Sequence, residues 1–122
     1  MSLSNSNPRR DKLSFILLTN VLKGKVGEQI AKEDYIHNGF KIIRTGKGSD
    51  FIALKELSES DEPYTEFVEV KTGKSRQSKK QRKTMREIRR MGKNYRIYRV
   101  TDSFLTSYIK SKPGMYERRR LT

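Results

Sequence analysis

Three side chains stand out by type and spacing: Asp50, and the pair Glu69 and Lys71 in the run Glu66-Phe67-Val68-Glu69-Val70-Lys71. Phe67, Val68 and Val70 are good strand formers, so the run predicts a β-strand. Residues two apart on a strand share a face. Glu69 and Lys71 therefore point one way, and Val68 and Val70 point the other, toward a core. Asp50 opens a second apolar run, Asp50-Phe51-Ile52-Ala53-Leu54-Lys55, separated from the first by a polar spacer from Glu56 to Pro63. Two such runs joined by a polar turn predict a hairpin-like pair, which brings Asp50 beside Glu69 and Lys71. Two carboxylates and an ammonium at one strand end can hold a hard divalent cation and position a water, the minimum for metal-assisted phosphodiester hydrolysis. A plainer reading makes Glu69 and Lys71 a solvent-exposed pair worth about 0.2–1 kcal/mol. It makes Asp50 a turn residue bonded to local backbone.

The elements that must position these residues follow from periodicity and from turn chemistry. Leu13, Leu17 and Val21 are spaced for a helix beginning near Asp11, which Gly24 and Gly27 interrupt. A further helix is expected from Lys25 to Asn38, burying Val26, Ile30 and Ala31 and extended by Tyr35. Asn38-Gly39 is its stop, because both residues tolerate the left-handed conformation. His37, at that stop, reads as a capping or surface histidine. As an isolated residue, Glu28 on this helix reads first as ordinary helix surface; taken together with the hairpin, a helix packed on the sheet can aim it at the Asp50–Glu69 corner. Phe40 to Thr45 predicts a strand, and Gly46-Lys47-Gly48-Ser49 a basic turn that delivers Asp50. After Lys71, a helix from Ser75 or Arg76 to Met91 is expected, with Gln77, Gln81, Met85, Ile88 and Met91 on one face and Gly92 as its end. Its remaining surface is basic. Asn94 to Val100 predicts a strand, adjacent and parallel to Glu66–Lys71 if the two form a strand–helix–strand unit. Asp102 to Lys110 predicts a short helix capped by Asp102 or Ser103. The order of elements specifies an α/β domain with a mixed β-sheet flanked by helices.

Composition narrows the partners. The chain has 122 residues, enough for one domain around one core. Residues 1–10 are expected to be a flexible segment, 11–110 the domain, and 111–122 a basic tail. There is no cysteine and a single histidine, which excludes disulfides, thiol chemistry and zinc sites built from cysteines or several histidines. Any metal is expected to be held by oxygen, which selects magnesium or manganese. No apolar run can span a bilayer and no signal-peptide core opens the chain, so an intracellular, cytoplasmic location is expected. Lysine and arginine number 28 against 14 aspartates and glutamates, a formal charge of +14. An excess of that size points to a polyanion, nucleic acid first. The candidate contacts are Lys47, Lys74, Arg76, Lys79, Lys80, Arg82, Lys83 and Arg86.

Glu28 in a helix, Asp50 opening a strand and Glu69-Val70-Lys71 ending the next resemble the PD-(D/E)XK nuclease superfamily, which has the restriction-endonuclease-like fold. Within it the chain is most similar to the small archaeal and viral Holliday junction resolvases. The likeness runs over about residues 22 to 100. It includes Lys23-Gly24 ahead of Glu28, Gly39-Phe40 opening a strand, and the basic helix with Gln77 and Gln81. Ser49 stands where the motif's proline would be. The resemblance implies Asp50 and Glu69 as metal ligands, with the backbone carbonyl of Val70 as a further ligand. It also implies Lys71 as the catalytic lysine, and Glu28 as the helix-borne carboxylate that completes the site. It further implies Mg2+ or Mn2+ as cofactor, branched or junction DNA as substrate, and an archaeal or archaeal-viral source.

Cutting two opposed strands of a junction from one site per chain calls for a homodimer. Leu13 to Leu22 and Phe104, Leu105, Tyr108 and Ile109 offer apolar material for its interface. Other readings remain compatible with the same residues: a non-specific or single-strand nuclease of the same fold, a catalytically silent nucleic-acid-binding module, and a structural RNA-binding protein.

Overall fold

Glycine at position 27 lets a long helix lie directly on the sheet. In the computed structural model, which describes residues 20–45, 48–59 and 61–112, helix α1 spans Asn20–His37 without a break. The expected interruption at Gly24 and Gly27 is therefore corrected. A Cβ at Gly27 would stand 2.5 Å from the Thr72 methyl, so this glycine marks close approach between helix and strand rather than a helix end. Val26, Ile30, Ala31 and Tyr35 are buried along α1, as their spacing requires. The helix stops at Asn38-Gly39 as expected: Gly39 has φ +89°, and Phe40 N–H donates to the Tyr35 carbonyl at 3.0 Å. His37 is exposed.

Four strands follow: β1 (Lys41–Arg44), β2 (Phe51–Lys55), β3 (Tyr64–Thr72) and β4 (Asn94–Val100). They form one sheet in the order β1-β2-β3-β4, with β1–β2 and β2–β3 antiparallel and β3–β4 parallel. Helix α2 (Lys79–Arg90) makes the crossover between the parallel strands, and α3 (Asp102–Lys110) follows β4. This is the expected mixed-sheet α/β architecture.

Two helix starts differ from expectation, for reasons the sequence carries. Helix α2 begins at Lys79, not at Ser75 or Arg76. Ser78 caps it, accepting from Gln81 N–H at 3.1 Å, while the Gln81 side chain accepts from Ser78 N–H at 2.9 Å. This reciprocal box needs Ser-x-x-Gln, present at 78–81. Gln77 thus precedes the helix rather than lying on its face, and Met91 is an exposed cap residue. Helix α3 is capped by Thr101, one residue earlier than Asp102, with Phe104 N–H donating to its hydroxyl at 3.2 Å.

The core lies between α1 and the sheet. Ala31, Tyr35, Phe51, Ala53 and Val68 form one cluster, and Val26, Ile30, Val100 and Leu105 another that α3 closes. Tyr108 and Ile109 pack on the second cluster, so they and Leu105 complete the monomer core instead of forming a spare apolar face. Phe104 alone of that group is exposed. The segment 1–10, the helix start from Asp11 to Thr19, Lys47 and the tail beyond residue 112 lie outside the described residues. No helix among the described residues is long and apolar enough to cross a membrane.

Candidate functional site

The β2–β3 register places Phe51 opposite Val68, so Asp50 falls alongside Glu69 and Val70. Two bonds lock it there. Asp50 N–H donates to the Val68 carbonyl at 2.9 Å, and Val70 N–H donates to Asp50 Oδ2 at 2.6 Å. Asp50 thus ends the β2 pairing with its side chain tied to the β3 backbone, as the hairpin argument anticipates. The residue keeps one side open to solvent while the protein crowds its carboxyl from the other. That partial burial, aided by the charges of Glu28 and Glu69, holds its pKa above the ordinary aspartate value against the opposing pull of the Val70 N–H and Lys71.

Strand alternation puts Glu69, Lys71 and Tyr95 on the face that α2 covers. Covering that face buries Glu69 to 2 % exposure, although glutamate is almost never buried unless paired. The solvent-exposed surface-pair reading of Glu69 and Lys71 is therefore corrected: both faces of β3 are covered. Tyr95 O–H donates to Glu69 Oε1 at 2.5 Å, and Gln77 Nε2 donates to the same oxygen at 2.9 Å. The other oxygen, Oε2, is buried with no hydrogen-bond partner among the described residues and faces Lys71 Nζ at 3.5 Å. Lys71 Nζ in turn donates to Gln81 Oε1 at 2.8 Å, so the capping glutamine of α2 also anchors the lysine.

Glu28 comes toward Asp50 from helix α1. It pairs with Lys32 at 3.0 Å on the same helix, and its charge reaches Asp50. Among the described residues, no three acidic or histidine side chains converge tightly enough to hold one ion. Asp50, Glu69 and Lys71 gather around the Val70 backbone, and the charge of Glu28 acts on Asp50 from α1.

A cleft of about 230 Å³ opens over these groups, lined in part by Asp50, Glu69, Lys80, Gln81 and Tyr95. Lys74, Arg76, Lys79, Lys80, Arg82, Lys83 and Arg86 are all exposed, on α2 and the loop before it. Arg82 Nη1 is partly engaged, donating to the Gln77 carbonyl at 2.8 Å.

Sequence reasoning missed Tyr95, which it placed only within the strand from Asn94 to Val100. Its ring is buried, and its hydroxyl also lies 3.1 Å from the Gly48 carbonyl, so it bridges the turn before Asp50 to Glu69. Burial and the bond to Glu69 push its pKa far up and keep it protonated as a donor. A strand position paired with Phe67, two residues before Glu69, was the available signal.

A mixed four-stranded sheet between helices, with carboxylates and a lysine at adjoining strand ends, defines an α/β domain of the nuclease-like kind. A family model described as endonuclease related to archaeal Holliday junction resolvase matches residues 14–100, and the chain belongs to that family. No curated protein and no solved structure matches the chain.

Proposed function

We propose that the protein is a divalent-metal-dependent endonuclease that hydrolyses phosphodiester bonds in branched DNA, with four-way junctions as its preferred substrate. The observation that carries this reading is the buried Glu69. One carboxylate oxygen is held by two donors, while the other is buried next to Asp50 and 3.5 Å from Lys71. Lys71 balances the charge of that oxygen, which accepts no hydrogen bond among the described residues, and a hard cation is the further partner its chemistry selects.

Asp50 and Glu69, with the Val70 carbonyl, are the groups that would hold Mg2+ or Mn2+, and Glu28, whose charge acts on Asp50, would complete the set from α1. A bound divalent cation supplies charge neutralisation at the scissile phosphate. The remaining chemistry belongs to the chain. Lys71, fixed by Gln81, presents a positive charge for the attacking water and the charge developing on phosphorus. Water adds to phosphorus and one P–O ester bond breaks, leaving a phosphate end and a hydroxyl end. The basic surface of α2 holds the duplex arms by their phosphates, which gives affinity without reading sequence and suits selection by shape. Paired cuts on opposed strands are made by a homodimer.

Purified protein should be assayed on four-way, flap, duplex and single-stranded DNA, with and without Mg2+ or Mn2+. Metal-dependent cutting that favours the four-way substrate is expected. Tight binding with no cutting of any substrate would sink the reading and leave a binding module.

A further inference from the structure

A second cavity adjoins the cleft over Asp50 and Glu69. A groove of about 500 Å³ lies on the other flank of the β3 end, between the first turns of α1 and the loop after Thr72. Its walls include Asn20, Lys23, Lys71, Lys74 and Ser75, with Asp102 at the rim. With Lys71 paired to Glu69, Lys23 and Lys74 against Asp102 still give the groove a positive balance. We propose that this groove seats the sugar-phosphate backbone of the DNA strand being cut, with Lys23 and Lys74 contacting its phosphates. The proposal rests on the nuclease reading above and adds to it a path for the strand.

Three features support it. The groove adjoins the candidate site: Lys71 lines the groove, Gln81 lines the cleft, and the two are joined by a 2.8 Å hydrogen bond. A strand lying in the groove therefore meets the candidate site at Lys71. The loop that forms one wall is held in place before any ligand arrives. Gly73 N–H donates to the Val100 carbonyl at 2.8 Å, Arg99 Nη1 donates to the Gly73 and Ser75 carbonyls at 2.9 Å each, and Ser75 Oγ donates to the Thr72 carbonyl at 2.8 Å. Those bonds engage the carbonyl oxygens of Thr72, Gly73 and Ser75, which would otherwise repel an anion, while Lys74 stays exposed. The opposite wall is open at Gly24, where even an added Cβ would meet nothing within 4 Å. The groove also lies at the carboxyl end of the parallel β3–β4 pair, where open α/β sheets bind ligands.

The test uses the full-length chain and a four-way junction in chelator, so that binding is read without cleavage. Fluorescence anisotropy at graded salt compares the native protein, the Lys23→Gln/Lys74→Gln variant, and a control of equal charge loss on edge strand β1, Lys41→Gln/Arg44→Gln. Removing the two groove lysines should flatten the slope of log affinity against log salt by about 2, and the β1 control should leave it unchanged. Neutral methylphosphonates placed at successive backbone positions should weaken native binding at sites near the branch and add nothing in the groove variant. An unchanged slope, or an equal loss in both variants, would overturn the proposal. A protein that keeps the groove-dependent slope yet cuts no DNA with Mg2+ or Mn2+ would retire the nuclease reading and leave the groove standing. Cutting, with the slope unaltered by Lys23→Gln/Lys74→Gln, would retire the groove alone.

Discussion

Glu69 is costly to bury, and the groups around it show how the cost is met. Tyr95 and Gln77 saturate one oxygen, and Lys71 balances the charge. Replacing Tyr95 by Phe removes a buried hydrogen bond to a charged group, worth about 1.5–3 kcal/mol. Urea unfolding of the metal-free variant at neutral pH should show a loss of that order. Groups that orient a metal ligand typically change metal affinity about 10–100-fold, so Mn2+ titration by calorimetry should show weaker binding. Native Mn2+ affinity in the variant would mean that Tyr95 only packs. Asp50 behaves in the opposite sense. Its carboxyl is raised by burial and by neighbouring negative charge, so the folded state binds its proton more tightly than the unfolded chain does. The stability it contributes is present below the ordinary aspartate pKa and is lost as pH rises through the raised value. Without metal, Asp50→Asn should therefore have a higher melting temperature than the native protein at pH 7, with the gap closing as pH falls through the raised pKa. The same variant should lose cleavage. A variant less stable than the native protein at pH 7 would contradict this account.

At the scale of elements, two glycines of α1 have different reasons to exist. A methyl at 27 would press on Thr72 of β3 at 2.5 Å, whereas one at 24 meets open space. Alanine in a helix interior gains about 1 kcal/mol over glycine, and overpacking costs about 1–3 kcal/mol. Gly24→Ala should therefore stabilise by up to about 1 kcal/mol. Gly27→Ala should destabilise and shift α1 away from β3. Chemical denaturation of the two single variants checks the sign, and a stabilised Gly27→Ala would show that α1 moves freely on the sheet. The two cap boundaries carry a related lesson. Ser78-x-x-Gln81 was readable as a capping box, and the helix start missed by about one turn because the basic run from Arg76 has no period of its own.

At the scale of the whole molecule, charge and leftover apolar surface set the partners. The formal charge of +14 is concentrated in part on the exposed face of α2 and its preceding loop. Leu105 is buried in the core and Tyr108 and Ile109 pack partly against it, so among the described residues the more exposed apolar side chains open to a dimer interface include Val21 at 69 % and Phe104 at 56 % exposure. Sedimentation equilibrium at micromolar concentration, with and without a four-way junction, should find two chains per junction. A monomer in both conditions would end the paired-cut mechanism and leave an enzyme that cuts one strand at a time.

The local pattern alone determined the strands, the Asn38-Gly39 stop, the buried stripe of α1 and the meeting of Asp50 with Glu69, because each depends on period and turn chemistry within one or two neighbouring elements. The mixed sheet followed from the order of those elements. The tertiary structure decided the rest. Whether Glu69 is exposed or buried depends on α2 crossing over its face. The bonds from Tyr95, Gln77 and Gln81 join residues far apart along the chain or outside any shared helical face. That the charge of Glu28 acts on Asp50 depends on α1 packing on the sheet beside the end of β2. Burial and long-range pairing are properties of packed layers, and no window of sequence contains them.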